Sequence, residues 1–233
     1  MTVQHFICFR DIPLLYGRVP KVANSSIKAA LCTLLKSQKS KGVRTTSDSY
    51  WKTGTQGETS MVNPHDARMR RGTHFCFSFV RNPFDRLVSA YNNKLIELQD
   101  VPGPMKSMGL THSMSFGSFL EVVASTSDDE MDIHLLPQSK ILCLNGQLIP
   151  DFIGCLETMN KDWDVLQKTL RQEGIPRLGK LPEKNVRRGL VGRDMPHYFE
   201  DPGFIRLVSE RYGEDIERFY SNESIEELIG SCL

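Results

Sequence analysis

Two short stretches of the chain carry residue types suited to holding an anion. The first, RVPKVANSSIKAAL, runs from Arg18 to Leu31 and sets Lys21 before Val22, Ala23 and Asn24, then Ser25 and Ser26. The second, RNPFDRLVSAYNNKL, opens on Arg81 and reaches Ser89 in the first turns of an expected helix. Each puts a cation where an apolar run ends and hydroxyls where a helix begins. The orphan N–H groups and the positive dipole end of a helix favour negative charge. Two such places suggest one ligand with two separated phosphate-type groups. Taken singly, the residues also admit plain roles: Ser25 or Ser26 as a helix cap, and Arg81 as the i,i+4 partner of Asp85. Asp85 and Arg86 are expected as exposed helix charges with no part in the chemistry.

Periodicity predicts the elements that hold these residues. THFCFSFV, Thr73 to Val80, is aromatic and apolar on both faces, as a central parallel strand would be. HFICF and LLYGRV predict two more strands, the second ended by Pro20. Ile27, Ala30, Leu31 and Leu34 predict a helix to about Leu35. After Arg81, Asn82 suits a cap and Pro83 the first helical position, with Phe84, Leu87, Val88, Tyr91 and Leu95 on one face. NPHDARMRR, SFGSFLEVVAS and MNKDWDVLQKTLRQEG predict further helices, the last closed by Gly174. DPGFIRLVSERYGEDIERFY predicts a final helical stretch broken at Gly213, and SKILCLNGQLIPDFIGCLE two strand-like runs around an Asn-Gly turn. Strands and helices alternate in the first half. That predicts an α/β fold, a three-layer parallel sheet flanked by helices, with both anion stretches at its carboxyl edge. Lys36 to Gly57 is polar and reads as a lid or substrate loop. Trp51 within it suits either stacking on a sugar ring or anchoring the loop in the core.

Composition bounds the function. The chain has 233 residues, within the range of a single domain, and residues 1–233 are expected to form one. Its net charge of +1 lacks the global basic field of a nucleic-acid binder, so an anion site must be local. There is no apolar run long enough for a membrane span and no signal-peptide order, so the expected location is cytoplasmic. The six cysteines are scattered without a C-x-x-C pair or zinc spacing, and the expectation is small buried hydrophobes, with no metal site.

The Walker A pattern is absent, since the lysine precedes the turn and the turn has no glycine; no G-x-G-x-x-G is present either. VPKVANSSIK and FVRNPFDRLVSAY instead resemble the two cofactor motifs of the carbohydrate sulfotransferase family, the Golgi-type sulfotransferase family 2 with its bacterial relatives. HLLPQ, DFIGCLE, LPEKNVRR and YGEDIERF follow in the family's order, so the resemblance covers most of the chain. It implies a P-loop-like sulfotransferase fold and the donor 3′-phosphoadenosine 5′-phosphosulfate (PAPS), with 3′,5′-bisphosphoadenosine (PAP) as product. It further implies that Lys21, Ser25 and Ser26, with the turn backbone from Val22 to Asn24, hold the 5′-phosphosulfate. Lys21 would neutralise charge on the bridging oxygen, and Arg81 with Ser89 would bind the 3′-phosphate. Ala23 and Asn24 stand where relatives often have glycine or other small residues, which implies a tighter or altered turn.

The resemblance implies a hydroxyl acceptor, with a carbohydrate favoured, and in-line transfer to it would use a general base but in principle no metal. His65 is the expected base, since family members often place a histidine before the central strand; Asp66 would orient it or serve instead. His74 is expected to be structural, and His134 to shape the cofactor or acceptor pocket or, as the lesser alternative, to serve as the base. Arg187 and Arg188 would reach the 3′-phosphate side or form a solvated turn. Arg68, Arg70 and Arg71 are expected as a solvated helix face. DVPGPMKSMGLTHSM and the Lys36–Gly57 loop are expected to line the acceptor site. Two other readings stand beside this one: a kinase on a P-loop-like core, and a non-catalytic module that binds a nucleotide or glycan.

Overall fold

The computed structural model describes residues 4–37, 43–182 and 195–230. In chain order these contain β1 (Phe6–Phe9), β2 (Leu14–Gly17), α1 (Asn24–Leu31), β3 (Thr59–Val62), α2 (Pro64–Met69), β4 (Phe75–Val80) and α3 (Pro83–Tyr91). Next come α4 (Gly103–Ser107), α5 (Phe116–Ser125), α6 (Gln138–Leu142), β5 (Cys143–Leu144), β6 (Gln147–Leu148), β7 (Phe152–Cys155) and α7 (Met159–Gln172). The last are α8 (Met195–Tyr198), α9 (Pro202–Arg211), α10 (Gly213–Phe219) and α11 (Ile225–Gly230).

Five strands form one sheet in the order β3-β1-β2-β4-β7. β2, β4 and β7 run parallel, as expected, while β1 is antiparallel to both β2 and β3. The sheet of this α/β fold is therefore mixed. The link from Phe9 to Leu14 is too short for anything but a hairpin, because a parallel pair needs a crossover of about a dozen residues or more. β4 is buried at every position after Phe75, which matches its two-faced apolar sequence. Phe77 stacks on Tyr16 of β2 with ring centroids 5.1 Å apart.

Other expectations fared unevenly. The predicted helix to Leu35 is α1 followed by a 3₁₀ turn at Cys32–Leu34. The SKIL run is helical, not a strand, and the Asn-Gly turn joins the short hairpin β5–β6 with Asn145 at φ 51° and Gly146 at φ 74°. α7 closes at Gly174, which takes φ 70° so that the Ile175 N–H can reach the Leu170 carbonyl at 2.8 Å. Cys8, Cys32 and Cys76 are buried, while Cys143 and Cys155 are half-buried.

The chain divides into two compact units. One joins Met1–Val80 with Ile141–Val186 and contains the sheet; the other joins Arg81–Lys140 with Arg187–Leu233. The described part of the second unit is helical around an aromatic cluster, in which Phe116 meets Tyr91 at 5.2 Å and Phe199 at 5.5 Å. Among the described residues, no helix is long and apolar enough to cross a membrane.

Candidate active site

In the sheet unit, β2 leads into the lysine turn through Gly17. A Cβ there would lie 2.9 Å from the Leu142 side chain and 3.0 Å from Phe6, so any larger residue at the strand end would have to displace those side chains. Arg18, Val19 and Pro20 stay buried, and the backbone then twists into the left-handed region twice, at Lys21 (φ 70°) and Ala23 (φ 43°). Neither residue is a glycine, and each non-glycine residue in that region costs roughly 1–2 kcal/mol. Ala23 takes the N-cap position of α1, and no side chain caps the helix. Ser25 and Ser26 therefore lie inside the first turn and are not its caps. The N–H groups of Ser26 and Ile27 turn back to the Ala23 carbonyl at 2.9 and 3.1 Å. Asn24 accepts a hydrogen bond from the buried Tyr16 hydroxyl at 3.2 Å, and Val22 is buried beneath the turn.

Charges behind this turn tie it to the polar loop. The Asp48 carboxylate pairs with the Arg18 guanidinium at 3.2 Å and with the buried Lys28 ammonium, which also donates to the Thr46 carbonyl at 3.1 Å. Burial pulls the Lys28 ammonium below the ordinary lysine value, and Asp48 offsets part of that. His5, buried beside them, is lowered to about 4 by burial first and by the Arg18 charge second, so its ring is neutral at physiological pH. Trp51 is 0% exposed, and its indole N–H donates to the Thr45 carbonyl at 2.8 Å. It anchors the loop in the core and presents no ring to solvent. Residues 38–42 of the loop lie outside the described residues.

Sheet register sets the place of His65. Gly17 of β2 and Val62 of β3 both pair with Phe6, so the two strand ends stand level, separated by two strand spacings or roughly 10 Å. β2 and β3 point the same way, and the residues that follow them emerge at the same edge. Lys21 and His65 are thus brought to one side of the sheet. Asn63 caps α2 by accepting the Asp66 N–H at 2.8 Å, with Pro64 at the first helical position. The His65 side chain is 69% exposed, and its Nδ1 lies 3.7 Å from an Asp66 carboxylate oxygen. His74 immediately precedes β4, at the opposite edge of the sheet, where its Nδ1 meets the Thr73 hydroxyl at 3.0 Å. Its pKa is lowered, chiefly by burial. The three arginines after α2 starts are engaged and not simply solvated: Arg68 bonds the Gln147 side chain, Arg70 the Asp66 carbonyl at 2.7 Å, and Arg71 pairs with Asp151 at 3.4 Å.

In the second unit, Arg81 is buried, and its Nε donates to Asp85 Oδ2 at 2.5 Å. The i,i+4 pair is therefore formed, and it is an internal one. Asp85 and Arg86 are not exposed helix charges: Arg86 is 1% exposed and donates to the carbonyls of Leu136 and Ile133 at 2.9 and 3.2 Å. Asn82 caps α3 through the Phe84 N–H at 3.0 Å, as its sequence predicted. Ser89 is buried on α3. The Arg81 backbone is held on both sides by Gln138, whose Oε1 accepts the Arg81 N–H at 2.9 Å and whose Nε2 donates to the Arg81 carbonyl at 2.8 Å. Gln138 stands in the HLLPQ segment, yet nothing local in that segment indicates the clamp. His134 Nδ1 lies 2.7 Å from Asp132; burial works against the charge of that carboxyl, but the bonds from His134 hold it below its usual value. Arg187 and Arg188 lie outside the described residues.

Chemically, the first unit offers a cation and an uncapped helix start with an exposed imidazole on the same sheet edge. The second offers a buried, pre-oriented guanidinium.

Known proteins are similar to this chain. Carbohydrate sulfotransferase 14 of Danio rerio is 26% identical over 214 residues, 84% of this chain and 56% of that protein. The Mus musculus and Homo sapiens proteins of the same name are each 27% identical over 187 residues, 72% of this chain and 47% of theirs. The chain spans about half the length of the curated relatives it matches. No solved structure matches. The model of the sulfotransferase family matches residues 4–221, which include the lysine turn, α2 and the arginine of the second stretch, and the chain belongs to that family.

Proposed function

We propose that this chain transfers a sulfuryl group from PAPS to a hydroxyl, with a carbohydrate as acceptor. The observation that carries the reading is the turn at Lys21, where strained non-glycine backbone delivers a lysine and the uncapped start of α1 to one place. Backbone strain of this kind persists where the surroundings enforce it and concentrates at ligand-holding sites. Family membership supports the class of donor, and the names of the relatives support a carbohydrate acceptor. The family match runs through residues of both compact units, which supports reading the chain as one sulfotransferase domain.

The residue types suit the two anionic groups of such a nucleotide. Lys21, the backbone from Val22 to Asn24, and the hydroxyls of Ser25 and Ser26 hold the 5′-phosphosulfate. Arg81 and Ser89 hold the 3′-phosphate. When bound, the nucleotide supplies the activated sulfuryl group. Lys21 neutralises the negative charge that collects at its turn, the main service a protein can offer a loose in-line transfer. His65 takes the proton from the acceptor hydroxyl, and the Asp66 carboxylate beside Nδ1 stabilises the imidazolium that results.

Calorimetric titration with PAP, beside AMP and ATP, tests the reading. Tight binding of PAP alone is expected. Preference for ATP with magnesium would favour a kinase, and no binding by a folded sample would end the cofactor assignment.

A further inference from the structure

The β ladder between β4 and β7 ends where Val80 pairs with Cys155, and the Leu156 N–H closes it on the Val80 carbonyl at 2.8 Å. The next residue, Arg81, is buried, so its own N–H and carbonyl need partners. The Gln138 carboxamide supplies both, in the two-point manner of a strand neighbour. A side-chain amide can do so because it carries a donor and an acceptor in one plane.

Gln138 is itself fixed from behind. It is fully buried, and its backbone N–H donates to Asp215 Oδ2 at 2.7 Å while that of Ser139 donates to Oδ1, also at 2.7 Å. Asp215 is fully buried on α10. One turn earlier, the Tyr212 hydroxyl donates to the Leu135 carbonyl, and Arg86 holds the carbonyls of Ile133 and Leu136. The segment from Ile133 to Ser139 is thus gripped at its carbonyls by two side chains and at its N–H groups by a third. What this framework presents to Arg81 is one oriented carboxamide.

We propose that Gln138 is a positioning residue for Arg81: seated by Asp215, it fixes the Arg81 backbone and so the line along which the guanidinium meets the 3′-phosphate. This rests on the reading of Arg81 given above. Asp85 then sets the rotamer of the arginine, and Gln138 sets the place from which the side chain starts. Neither touches the reacting atoms.

The test is the ratio of PAP to AMP affinity, since the two ligands differ in the 3′-phosphate alone. Gln138→Leu should weaken PAP binding about tenfold, the worth of one charge-assisted contact, and leave AMP binding within about twofold. Asp215→Asn keeps the shape but replaces one of two acceptor oxygens, and should weaken PAP selectively by about threefold. It carries the test if Gln138→Leu does not fold. Equal losses for PAP and AMP would reduce Gln138 to a purely structural part and overturn the proposal. So would unchanged affinity for both in folded variants. A wild-type chain that fails to prefer PAP over AMP would remove the 3′-phosphate role of Arg81 itself, and the proposal with it. A wild type that prefers PAP beside variants that keep the preference removes the positioning role alone.

Discussion

Trp51 gives a direct measure of how the polar loop is built. Its side chain is fully enclosed, in edge-on contact with Phe9 at 6.2 Å and Tyr50 at 5.6 Å, and its N–H is bonded to the Thr45 carbonyl. Replacing a buried tryptophan by alanine costs about 3–5 kcal/mol through lost burial and the cavity left behind. In a chain of 233 residues, each kcal/mol moves the melting temperature by about 2–4 °C, so Trp51→Ala should lower it by roughly 6–20 °C. Trp51→Phe keeps the ring contacts but leaves the Thr45 carbonyl without its donor, and should cost about 1–2 kcal/mol, or roughly 2–8 °C. The assay is differential scanning calorimetry, paired with turnover measured well below the lowest melting point. Both variants should keep acceptor affinity close to wild type at that temperature. An unchanged melting temperature together with a raised KM for a glycan acceptor would refute the reasoning, because it would mean the ring serves the sugar and not the core.

Three further outcomes are expected. Arg81→Ala should weaken PAP binding by about 2–3 kcal/mol and also destabilise the fold by leaving Asp85 buried and unpaired. The double variant Arg81→Ala/Asp85→Ala should regain stability but not affinity, as read by thermal unfolding and calorimetry together. His65→Ala should lower kcat by about 10²- to 10⁴-fold with PAP affinity unchanged, and near-normal turnover would remove His65 as the base. Ala23→Gly should stabilise the chain by up to about 1 kcal/mol in urea unfolding, since relief of the left-handed penalty exceeds the entropy gained by the unfolded chain. A clear loss of stability would show that the turn is not strained.

Much of the fold was legible because its signals are local. β4 and α3 follow from an aromatic run and a Pro-capped periodic helix, and both lie where their sequences place them. β3 was not legible: TSMV is only four residues without clean alternation, and it exists as a strand because β1 offers it an edge. The SKIL run reads as a strand by composition, but Asp215 caps its start from 77 residues away and makes it helical. The direction of β1 was readable in principle from the short link to β2.

The site divides in the same way. Lys21, the serines and Arg81 stand out by type and spacing at element ends. The left-handed backbone at Ala23 gives no such signal, because the sequence lacks the glycine that usually marks it. Asp85 and Arg86 look like ordinary surface charges on a helix, and only tertiary contacts show that both are internal. Gln138 and Asp215 are invisible for the same reason: their partners lie 57 and 77 residues away.

The discontinuous sheet unit also has a consequence for how the chain is made. β4 is complete at Val80, but the strand that covers its outer edge, β7, starts at Phe152, with much of the second unit encoded in between. At about 5–20 residues per second, the intervening stretch of about 70 residues takes a ribosome roughly 4–14 s. For that interval FCFSFV has one unpaired edge, and it is an aromatic, uncharged segment of the kind that pairs with strands of other chains. Substitutions that weaken β7 should therefore appear first as lost yield and aggregates in expression, before they appear as a lower melting temperature in whatever protein survives.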